Sequence, residues 1–262
     1  MLQLSAGSLL ALGLWPGALR AAGAGHPGEF TFIVVNDVHY TSDKCGRWLE
    51  RVLAQIKATK PAPDFLLLAG DYSEDGKPAQ LGAMRDLLQG LGLPHYGVIG
   101  NHDYESKISR KPYEDIFPGR LNYHFQHQGW QIVAFDSTEG NLGGGTTVQP
   151  ATLQWLDDTL PKLDRKLPLL AFTHFPLGPK VNTRSLNADA VLERFKAHNL
   201  QATFSGHWHG FTEREVRGAA VVTNRCCSFA KGNFDNTPEK GYFVCRAKDG
   251  KITREFVEAP KV

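Results

Sequence analysis

Five short segments of the 262-residue chain carry side chains able to do chemistry: Asp37-Val38-His39, Gly70-Asp71, Gly100-Asn101-His102-Asp103, His174, and Gly206-His207-Trp208-His209. Taken singly each has an ordinary explanation. Gly-Asp and Asn-His-Asp suit turns, and a lone histidine beside Phe and Pro is more often a satisfied structural residue than a ligand. His-x-His, read as a strand, places both rings on one face, where they can share a metal site. Together the segments offer four histidines, two aspartates and an asparagine as ligands (Asp37, His39, Asp71, Asn101, His174, His207 and His209). That is a mixed nitrogen and oxygen set suited to Zn, Mn or Fe. Seven donors exceed one tetrahedral site and suit two ions about 3.5–4 Å apart that share a carboxylate. Buried together without a cation, such a cluster would be costly.

The elements that must position these residues are legible as alternation. Phe30 to Val35, Phe65 to Ala69, Tyr96 to Ile99, Leu169 to Phe172 and Gln201 to Phe204 are short apolar runs of strand length. Each ends at one of the five segments. Helical stripes lie between them: Trp48, Leu49, Val52, Leu53 and Ile56; a stretch from Pro78 to Gln89; and Leu153, Leu156, Leu160 and Leu163 after Pro150. Asn187 is placed to cap a helix that carries Val191, Leu192 and Phe195. Tyr123–Phe125 and Trp130–Phe135 flank Gly129 as a hairpin, Gly143-Gly144-Gly145 reads as the most flexible point of a loop, 139–148, which either covers the site or, as is usual for glycine-rich loops, is simply mobile, and the tail from Ala219 to Val257 reads as further strands. The pattern is one α/β domain, strands inside and helices outside, with polar residues at the strand ends where open sheets build sites.

The ordered set resembles the signature of the calcineurin-like metallophosphoesterases over residues 37 to 209. The resemblance implies a four-layer αββα sandwich of two mixed β-sheets flanked by helices. It also implies roles: Asp37, His39 and His209 on a first metal, Asn101, His174 and His207 on a second, and Asp71 bridging. His102 would be the general acid, with Asp103 orienting its imidazole. The implied reaction is phosphoester hydrolysis, monoester or diester, by a metal-bridging hydroxide at a two-ion centre of Mn, Fe or Zn. Glu74 stands where the purple acid phosphatases carry a tyrosine, and the arginine of the protein serine/threonine phosphatases is missing from Gly70–Gly76. Thr173-His174-Phe175-Pro176 and Gly206-His207-Trp208-His209 look like the bacterial cyclic-nucleotide phosphodiesterase-like branch. A non-catalytic metal-binding scaffold of the same fold and a nuclease remain as other readings.

Composition narrows the partners. Lys and Arg number 29 against 27 Asp and Glu, a net charge of +2, with 42% hydrophobic and 21% charged residues. No basic stripe argues for nucleic acid. A small phosphate ester, with nucleotides among the candidates, is the expected partner. Residues 1–24 read as a twin-arginine-like export signal that lacks its basic start, with Ala22-Gly23-Ala24 as a cleavage site and a domain over 29–259. The interrupted Leu2–Leu19 run is a poor membrane span, so stable insertion is not expected. The chain is then exported to a bacterial periplasm or beyond, or cytoplasmic if the segment is no signal. Cys45, Cys226, Cys227 and Cys245 contain no Cys-x-x-Cys pair and read as packing residues.

Overall fold

The computed structural model describes residues 27–261; the export-signal reading of 1–24 lies outside them. The chain runs β1 (Phe30–Val35), α1 (Asp43–Lys57), β2 (Phe65–Ala69), α2 (Pro78–Leu91), β3 (His95–Val98), α3 (Lys111–Ile116), β4 (Tyr123–His127), β5 (Trp130–Ala134) and α4 (Pro150–Thr159). It continues through β6 (Pro168–Phe172), α5 (Ala188–Arg194), β7 (Asn199–Ser205), β8 (Thr212–Val216), β9 (Ala219–Thr223), β10 (Gly241–Lys248) and β11 (Lys251–Glu258). Two mixed sheets result, ordered β11-β10-β1-β2-β3 and β4-β5-β6-β7-β9-β8.

Period-two alternation in buried strands produces the layering. In β1, Phe30, Phe32 and Val34 pack between the sheets while Ile33 and Val35 face α1 and α2. β2 does the same, with Phe65 and Leu67 inward and Leu66 and Leu68 toward the helices. Opposite them Leu170 and Phe172 of β6 join the inter-sheet core, and Leu169 and Ala171 pack with Leu156 of α4 and Val191 of α5. The order of layers is therefore helices, sheet, sheet, helices. No helix among the described residues is long and apolar enough to cross a membrane.

Two-residue turns close the antiparallel edges. Gln128-Gly129, Arg217-Gly218 and Asp249-Gly250 all have positive φ at both positions, the geometry that matches strand twist in tight hairpins. Asn187 differs from expectation: its side chain makes no cap bond to α5. Instead its Oδ1 accepts from Val148 N and its Nδ2 donates to Val148 O, both at 2.9 Å, pinning the 139–148 segment. All four cysteines are buried and free.

Candidate metal centre

β1, β2, β3, β6 and β7 deliver their C-terminal ends to one place, and loops crossing there hold the polar residues. Asp37 N donates to Gly70 O and His39 N to Asp71 O, lacing the first two loops together. Gly206 N donates to His174 O, lacing the last two. The loops are tight enough to exclude side chains. A Cβ on Gly100 would fall 2.0 Å from Asp71 Oδ1, and one on Gly70, whose φ is +86°, would fall 2.3 Å from His174 Nδ1.

Five of the expected ligands, Asp37, His39, Asp71, His207 and His209, adopt positive φ. Such backbone costs on the order of 1–3 kcal/mol per residue and persists where the surroundings over-determine it. It also corrects the expectation for His-x-His. β7 ends at Ser205, so His207 and His209 lie on a loop and not on a strand. Left-handed turns at both residues separate the rings. His209 joins Asp37, His39 and Asp71, whereas His207 joins Asp71 and His174.

Asp71 stands between the two groups. Its Oδ2 lies 3.4 Å from His39 Nε2 and its Oδ1 lies 3.3 Å from His174 Nε2. In the first group, His39 Nε2 and His209 Nε2 are 3.1 Å apart, with Asp37 Oδ1 at 3.3 Å from His209. In the second, Asn101 Oδ1 is 3.0 Å from His174 Nε2. The opposite ring nitrogens settle the tautomers. His39 Nδ1 faces Glu74 Oε2 at 2.9 Å, His209 Nδ1 faces Gly232 O at 3.1 Å, and His174 Nδ1 faces Ala69 O at 2.9 Å. Facing acceptors, these nitrogens carry the protons, so the Nε2 lone pairs point at one another and at carboxylates. His207 is reversed: its Nε2 meets Gly143 O at 2.9 Å, leaving Nδ1 for a ligand, and this contact brings the 139–148 segment onto the site.

An array of lone pairs and carboxylates at such distances calls for positive charge. Burial penalises the Asp37 carboxylate, but His209, His174 and His39 outweigh it and hold Asp37 well below the usual range. Against its own burial, His209 as a bare imidazole is pushed up to about 11 by Asp37. Burial and His174 push His207 down to about 4, keeping it neutral. The donors therefore fit two metal ions, one in each group, with a shared carboxylate between them.

His102 flanks this cluster, about one-third exposed, its ring centroid 4.7 Å from that of His39. Its backbone N donates to Asp71 Oδ1 at 3.0 Å, and its Nδ1 meets Glu74 O at 2.9 Å. The expectation that Asp103 orients the imidazole is not met. Asp103 is fully buried and accepts from Ser73 N, Ser73 Oγ and Gly100 N. It braces the loops that carry Asp71 and Asn101. Burial, with Asp71 nearby, pushes its carboxyl up to about 7 against those donors.

Glu74 is the residue the sequence reading missed. Its carbonyl fixes His102, its carboxylate faces His39, and it also accepts from Lys231 Nζ. Lys231 is thus a half-buried partner at the site. The available signal was an acid three residues beyond the Gly-Asp turn, noted only as a departure from the tyrosine of another branch.

Comparison with known proteins agrees with this geometry. The model of the family described as calcineurin-like phosphoesterase matches residues 30–211. A probable cyclic nucleotide phosphodiesterase of Synechococcus is 32% identical over 66% of this chain and 68% of its own length. A 3′,5′-cyclic-nucleotide phosphodiesterase of Nostoc is 29% identical over 60% of each chain, so the match spans about two thirds or less of these relatives. Among solved structures, a dimetal phosphatase from Danio rerio superposes with a TM-score of 0.66 over 88% of this chain and 97% of its own, at 16% identity, a likeness of fold. The buried His/Asp cluster fits a dinuclear phosphoesterase, and the chain belongs to the calcineurin-like phosphoesterase family.

Proposed function

We propose that the chain hydrolyses small phosphodiesters of the cyclic-nucleotide class, with Asp71 shared between two ions and His102 as the proton donor. The observation that carries the proposal is the division of Asp71: its two oxygens face two separate donor groups. Ions bound there supply charge for the phosphoryl oxygens and acidify a water. The protein supplies the rest. Asp37, His39 and His209 hold one position, and Asn101, His174 and His207 the other. With Nδ1 of His102 committed to Glu74 O, Nε2 is the nitrogen left to deliver a proton to the departing oxygen. The diester preference draws on the names of the similar bacterial proteins. The four histidine nitrogens beside the two carboxylates favour Mn, Fe or Zn over Mg or Ca.

The test is turnover of bis(p-nitrophenyl) phosphate, p-nitrophenyl phosphate and 3′,5′-cyclic AMP by protein freed of metal and reloaded with Mn, Zn or Fe. Metal-dependent turnover that favours the diesters is expected. A strong monoester preference would remove the substrate assignment, and folded two-metal protein inert on all three would remove catalysis. Export through residues 1–24 is also part of the proposal. It is tested by the N-terminus of the protein recovered from its native host: cleavage after Ala24 supports it, and an intact Met1 in cytosol contradicts it.

A further inference from the structure

Phe234 is 59% exposed, yet it is fixed to an expected metal ligand in two ways. Its backbone N donates to His209 O at 3.0 Å, and its ring stacks on the His209 imidazole with 14° between the planes and 5.0 Å between centroids. His209 itself is 4% exposed. The residues beside Phe234 are held as well: Gly232 O faces His209 Nδ1 at 3.1 Å, and Asp235 Oδ2 accepts from Phe211 N at 3.0 Å. The half-buried Trp208, between His207 and His209 in the chain, lies 5.7 Å from the Phe234 ring with the planes tilted by 38°.

Single exposed apolar side chains are common and carry no meaning by themselves. Phe234 differs in its place and in its restraint. The His209 ring whose Nε2 faces the metal cluster is its immediate neighbour, so anything lying against Phe234 lies beside the centre. One face of the phenyl ring is taken by His209, and the exposure of the residue leaves surface for a second planar group. A side chain already held by its neighbours loses little freedom when a ligand is laid on it, which lowers the cost of binding. Nucleobases stack on such rings whatever their identity, because every base has a π face.

We propose that Phe234, flanked by Trp208, is the residue that makes the site selective for nucleotides: the base stacks on the free surface of Phe234 while the phosphoryl group occupies the metal centre. A phosphate ester of a non-planar alcohol has no ring to lay there and forgoes the contact. The inference rests on the reading of the His/Asp cluster as a phosphoester site, and not on the preference for diesters.

The test is calorimetric binding of adenosine 5′-monophosphate and of ribose 5-phosphate to the two-metal protein. The two ligands share sugar and phosphate and differ by the base. The nucleotide should bind more tightly by about tenfold or more. Phe234→Ala and Phe234→Leu should each abolish that preference while metal content and ribose 5-phosphate affinity are kept, and Phe234→Tyr should retain it. Leucine preserves an apolar cover over His209, so Phe234→Leu carries the test if Phe234→Ala sheds metal. If these monoesters are turned over, the ratio of their kcat/KM values reads the same preference. A lack of diester turnover with the base preference intact would count against the hydrolysis assigned above and still support a nucleotide site at Phe234. No binding of the nucleotide, equal affinity for the two ligands, or a preference that survives both Phe234→Ala and Phe234→Leu would overturn the inference.

Discussion

At the scale of single residues, three side chains separate metal holding from catalysis. Asp71 faces both donor groups, so Asp71→Asn removes the one charge common to them. Metal analysis should find fewer than two ions per chain, with activity lost in parallel. His102 belongs to neither of the two donor groups that share Asp71, although one of its ring nitrogens lies within 4.8 Å of ligand atoms of His39 and Glu74, and His102→Ala should keep its metals. Its turnover of esters with poor leaving groups should fall by about 10²–10⁴, the usual worth of a general acid, while p-nitrophenyl esters suffer less; equal loss on both would contradict the assignment. Glu74→Gln keeps the carbonyl that fixes His102 but weakens the contact to His39 Nδ1. A lost outer partner of a ligating histidine typically costs about 10–100-fold in metal affinity. Competition with a chelator should show that loss, with leaving-group dependence unchanged.

At the scale of elements, the loops matter more than the strands. Gly100 lies against Asp71, and Gly100→Ala places its Cβ 2.0 Å from Oδ1. The shared carboxylate must then move, and metal content should drop although the substituted side chain ligates nothing. An unchanged two-ion stoichiometry would show that the loop yields instead. The strands and the ligand residues were readable because buried strands alternate or run apolar and because polar residues collect where they end. Other features were not readable. β8, Thr-Glu-Arg-Glu-Val, is an edge strand whose polar residues face outward, and such strands lack an apolar signature. The six-residue α3 is too short for a periodic stripe. Asp103 is held by Gly100 N of its own loop and by Ser73 N and Oγ from the loop after β2, and the second of these contacts has no local pattern in the sequence. The separation of His207 from His209 depends on left-handed backbone that no spacing rule contains.

At the scale of the whole molecule, the centre joins the two sheets. His174 follows a strand of one sheet and donates through Nδ1 to Ala69 O at the end of a strand of the other. Ions held across that seam stabilise the fold by mass action, about 2.7 kcal/mol per site at a hundredfold excess over Kd. Chelation should lower Tm by roughly 5–10 °C per lost site for a domain of this size, measured by thermal unfolding with and without re-added metal. The inter-sheet core is the independent contribution. Phe172 is fully buried there, and Phe172→Ala should cost about 3–5 kcal/mol, with the chelation effect on Tm still present in the variant.

The most direct test of a shared two-ion centre is a titration of metal-free protein with Mn or Zn, following diester turnover against ions bound per chain. Activity should rise and level off at two ions per chain, with Asp71→Asn never reaching that plateau. Full activity at one ion, or none at two in folded protein, would contradict it.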